Sequence, residues 1–71
     1  MSNERKLGLV SEMRRLRREQ ELTQGVLAEK AGVTITSITH WERGVAVPVL
    51  ENFEAVINAL GYDLRIVKRE V

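Results

Sequence analysis

Two threonines each open a short apolar-periodic stretch that a glycine closes, and this punctuation constrains the fold more than any other feature of the chain. Thr23 precedes Gln24 and then Leu27, Ala28 and Ala31 at helical spacing, with Gly32 behind them. Thr34 precedes Ile35, Ile38 and Trp41, and Gly44 ends that stretch. A threonine hydroxyl accepts from the free N–H groups of a first helical turn. A glycine adopts the left-handed backbone that ends a helix without a Cβ penalty. The pattern predicts helices over residues 24–31 and 35–43, joined by a short turn through Gly32, with Val33 as a plug into the core. Gly25 opposes the first of these by about 1 kcal/mol relative to alanine.

Helical periodicity frames this pair. Val10, Met13, Leu16 and Gln20 share one face of a predicted first helix over residues 9–20. After a connection at residues 45–47, Pro48 suits the first turn of a fourth helix, where its missing N–H is not needed. Leu50, Phe53, Val56, Ile57 and Leu60 then recur at i, i+3, i+4 spacing, and Gly61 closes the segment. The period changes beyond it. Tyr62, Leu64 and Ile66 alternate with Asp63 and Arg65, which predicts a C-terminal strand over residues 62–68. The expected fold is mainly α: one domain over residues 1–71, with a helical core at 9–61 and a terminal strand.

Composition narrows the chemistry. With 71 residues the chain makes one small domain with a modest core, which a second copy would help. It has no cysteine and one histidine, His40, so disulfides, thiolate sites and multi-histidine metal sites within one chain are excluded, and no cofactor is called for. No nucleophile is set beside a base, so an enzyme finds no support. No apolar run approaches the roughly 20 residues of a membrane span. The polar start, without an apolar stretch behind it, predicts no secretory signal and a cytoplasmic location. Net charge is only +1, yet residues 1–20 carry six basic residues (Arg5, Lys6, Arg14, Arg15, Arg17, Arg18) against three acidic ones. Arg65, Lys68 and Arg69 form a second basic group. Such clusters serve phosphate contacts or simply solvate a helix face.

Two helices joined by a short glycine turn form a helix-turn-helix, whose second helix can enter the major groove of DNA. On the second helix, Ile38 and Trp41 fall on one side with Thr34 and Ser37. Thr36, Thr39, His40 and Arg43 fall on the other, with Ile35 at its edge. The first side packs inward. The second is polar and mostly short, which lets a helix approach base edges closely.

The residues Leu22, Thr23 and Gln24, the run from Leu27 to Thr34, and then Ile38, Trp41, Glu42, Arg43, Gly44, Pro48 and Leu50 resemble the phage Cro/CI-type (XRE-type) helix-turn-helix family. The likeness spans roughly residues 10–61. It implies a compact lambda-repressor-like bundle of four or five helices and a transcriptional regulator, a repressor that binds palindromic operator DNA as a homodimer. By position it implies that Gln24 contacts a phosphate or holds the first residue of the recognition helix. Ile35, Thr36 and His40 would face bases, with Ser37, Thr39 and Arg43 near base edges or phosphates. Arg17 and Glu42 would form a buried ion pair between the first and third helices.

This chain also departs from the pattern. Gly25 and Val26 stand where a polar residue is common, so a capping box is missing. Ile35 can touch a thymine methyl but cannot give a bidentate hydrogen bond. Val45 replaces a common basic residue.

The strand at the end has its own implication. A strand needs a neighbour for its backbone groups, and the simplest is the same segment of a second copy, placing Tyr62, Leu64 and Ile66 at the joint of the homodimer. The helix-to-strand ending also resembles HipB-type antitoxins, which repress their own operon and hold a HipA-type toxin kinase. A toxin protein is therefore the alternative partner.

Overall fold

The computed structural model describes residues 2–70, with side chains from residue 8 onward. Among the described residues there are four helices and no strand: α1 Ser2–Glu19, α2 Gln24–Ala31, α3 Ile35–Glu42 and α4 Leu50–Ala59. The two central helices begin where their threonines place them. Thr23 Oγ1 accepts from Val26 N at 3.1 Å, and Thr34 Oγ1 accepts from Ser37 N at 3.1 Å. Gly32 turns left-handed at φ 74°, and Val33 N reaches back to Ala28 O at 3.1 Å. This wraps the turn onto the end of α2 and leaves Val33 packed against the core. Arg43 caps α3, so that helix ends one residue short of the predicted boundary.

The core joins all four helices. Val10, Met13 and Leu16 come from α1, Leu27 and Ala28 from α2, Ile38 and Trp41 from α3, and Phe53, Val56 and Ile57 from α4, with Leu60 just beyond it. Trp41 meets Phe53 edge-on, ring centres 6.3 Å apart, the favoured arrangement for two aromatic quadrupoles. Gln20, placed by periodicity on the inward face, is exposed. Its amide still reaches inward and donates to Leu60 O at 2.8 Å, tying the end of α1 to the end of α4.

Three expectations are corrected. First, α1 starts at Ser2 rather than residue 9. Apolar periodicity marks only where a helix packs, and the polar turns ahead of Leu9 give no such signal. The side chains of Arg5 and Lys6, counted in the basic cluster, lie outside the described residues. Second, Pro48 precedes α4 instead of opening it. Val49 is still extended at φ −69°, ψ 138°, and the first helical bond runs from Phe53 N to Val49 O. Leu50, expected in the core, is 72% exposed, at the rim of a shallow apolar groove with Leu9 and Val47.

Third, the strand predicted over residues 62–68 is not formed in the single chain. Its alternation is real, but no strand stands beside it among the described residues. In the 45–47 connection Val45 N and Ala46 N both donate to His40 O and close the end of α3 instead of pairing with the tail. Of the three residues assigned to the joint, Leu64 packs partly against the core, while Tyr62 and Ile66 are exposed.

Candidate nucleic-acid interface

Two anchors fix α3. Ile38 and Trp41 are buried on its inner side, and Glu42 at its last turn is clasped from α1. Arg17 Nε and Nη2 donate to the two Glu42 carboxylate oxygens, each at 2.9 Å, and Arg17 Nη1 donates to Leu22 O at 2.9 Å. The two side chains are 10% and 5% exposed. Burial pushes the Glu42 carboxyl up, and hydrogen bonds from Arg17 and Gln24 oppose it. With the charges of Arg17 and Arg14, they hold its pKa below the ordinary value of 4.5. Glu42 is thus an anion, and the bidentate fork fixes its plane.

Gln24, the first residue of α2, extends this clasp to the middle of α3. Its Nε2 donates to Glu42 Oε1 at 3.0 Å, and its Oε1 accepts from Thr39 Oγ1 at 3.1 Å. Both ends of the amide are therefore used within the chain. The first residue of α3, Ile35, approaches α2 differently. Its Cδ1 lies over Gly25, where a Cβ would stand 3.4 Å from it. Ser37 is turned toward the cap, its Oγ 3.0 Å from Thr34 Oγ1. Neither the Gln24–Thr39 bond nor the bond from Arg17 to Leu22 O carries a periodicity or spacing signal. Each arises from tertiary placement.

The outer side of α3 is what remains. Ile35, Thr36 and Arg43 are exposed, and Thr39 and His40 are half-buried beside them. Thr36, His40 and Arg43 follow one another at i, i+4 and i+7, so they form a single row along the helix. Among the α1 arginines, Arg15 and Arg18 are both exposed, and Arg15 is held by Glu12 and Glu19 on its own helix. Among the described residues no cluster of three His, Cys, Asp or Glu could hold a metal ion, and no helix is long and apolar enough to cross a membrane.

Comparison with known proteins gives one match. A family model described as helix-turn-helix covers residues 13–67, from the middle of α1 into the tail. No curated protein and no solved structure matches the chain.

Proposed function

The chain belongs to the XRE-type helix-turn-helix family and is a DNA-binding transcriptional regulator; from that premise we propose that it is a repressor that binds a palindromic operator as a homodimer, with α3 in the major groove. The observation that carries this reading is the division of α3. Ile38 and Trp41 hold one side in the core while Thr36, His40 and Arg43 present a low polar row on the other. Thr36 and His40 are the base readers, Ile35 contacts a thymine methyl, and Arg43 serves a phosphate or base edge.

Dimerisation places two such helices one turn of DNA apart, about 34–36 Å. In the second copy the tail finds the neighbour it lacks in the single chain, with Tyr62 and Ile66, both exposed, at the joint. The domain then gains apolar burial that a chain of this size needs. The antitoxin alternative rests on the same tail and has no separate observation in its favour.

Selection of bound sequences from a random duplex library tests the reading. A motif of two inverted half-sites is expected, and recovery of no enriched sequence overturns it. Removal of residues 62–71 tests the joint, because an unchanged sedimenting dimer assigns the contact elsewhere.

A further inference from the structure

A threonine hydroxyl is an ambiguous reader of DNA, because it carries one hydrogen to donate and lone pairs to accept, and so pairs with donor or acceptor bases alike. At Thr39 the chain removes that ambiguity. Glu42, ionised and clamped by Arg17, can only accept. The Gln24 amide therefore turns its NH₂ toward Glu42 and its oxygen toward Thr39. An amide oxygen can only accept in turn, so the single hydroxyl hydrogen of Thr39 points inward, to Gln24. With its hydrogen committed, the hydroxyl of the half-buried Thr39 has only lone pairs left to offer a partner outside the chain.

We propose that Gln24 is a positioning residue that makes Thr39 an acceptor-only reader, selective for the exocyclic amino group of adenine or cytosine in the major groove. Those amino groups are the only major-groove donors. Phosphate oxygens, guanine O6 and N7, and thymine O4 all accept, so none can bond this hydroxyl. Specificity at this position then comes from a chain of bonds that starts at Arg17, on a different helix.

The inference rests on the DNA-binding reading above, and one series of experiments separates the two. Operator selection with wild type and with Thr39→Val locates the base pair that the hydroxyl reads. Synthetic operators then lack a single atom group there, on either strand. Purine in place of adenine, or 2-pyrimidinone in place of cytosine, removes the amino group, and 7-deazapurines remove N7. A hydrogen bond of ordinary net strength predicts a coupling of about three- to tenfold in Kd between Thr39→Val and amino deletion. It predicts none with N7 deletion. Thr39→Ser restores the coupling, and Gln24→Met reduces it because the hydroxyl is no longer held. Circular dichroism checks that each variant is folded. Coupling to N7 deletion, equal operator preference in wild type and Thr39→Val, or full amino coupling in Gln24→Met each overturns the assignment while leaving the regulator intact. No enriched motif in the wild-type selection overturns the DNA-binding reading, and this inference with it.

Discussion

Replacing Arg17 with methionine leaves the Glu42 carboxylate in its buried position with one donor, the Gln24 amide at 3.0 Å. Three hydrogen bonds vanish: two to Glu42 and one to Leu22 O. Breaking one half of a buried pair costs about 3–5 kcal/mol, and the surviving Gln24 bond places this case near 3. For a domain of this size that lowers Tm by on the order of 15 °C. Glu42→Leu should cost about 2 kcal/mol, because the long Arg17 side chain can turn its head toward water. The double variant removes both charges and should lose about 3 kcal/mol, not the roughly 5 of two independent sites, since residues in contact couple. Urea unfolding of the four proteins at pH 7 gives all the terms. Losses that add in the double variant would refute the claim that a stranded charge, rather than lost packing, is what destabilises the single ones.

Acid provides an independent measure of the same pair. Because folding lowers the Glu42 pKa below 4.5, its contribution is complete above that value and is lost as pH falls through the folded pKa. Urea midpoints followed downward from pH 6 should decline less steeply in Glu42→Gln than in wild type. The glycines give opposite signs. Gly32 sits at φ 74° with open space where a Cβ would go, so Gly32→Ala should cost about 1–2 kcal/mol from the backbone alone. Gly25→Ala should gain up to about 1 kcal/mol in helix propensity, since the new methyl meets Ile35 Cδ1 at 3.4 Å and Thr23 Oγ1 at 4.0 Å, both side-chain atoms; thermal melts of the two variants decide both signs. Operator affinity should fall with salt at a log–log slope of roughly −0.9 per phosphate contacted, and a flat titration would exclude phosphate contacts as its main source.

What was legible in the sequence is local. Thr23, Gly32 and Thr34 act on backbone groups a few residues away, so residue type alone revealed both central helices and the turn between them. Helix starts without such a device were misplaced. No side chain caps α4 at Val49, and the sequence ahead of Leu9 carries no apolar stripe. The outer row of α3 followed from helical geometry once Ile38 and Trp41 were turned inward. The link from Gln24 to Thr39 was hidden, because it depends on how α2 crosses α3 rather than on either helix. The tail shows a related limit: alternation specifies two faces, but only a neighbouring edge makes a strand, and none pairs with it in the single chain.

The side-chain bonds that close long loops bear on how the molecule assembles. The link between Arg17 and Glu42 spans 25 residues, and the one from Gln20 to Leu60 spans 40. Because closure entropy grows only with the logarithm of loop length, the second costs merely about 0.4 kcal/mol more than the first. One is fastened from α1 and the other from Gln20, the residue just beyond it. The turn joining α2 to α3 relies on bonds between residues a few positions apart, so this pair can form early and quickly, as contacts of short sequence separation do. The half proposed to face DNA is thus the half closed by the shortest turns, and α1 adds the long closure through Arg17 that holds the end of α3.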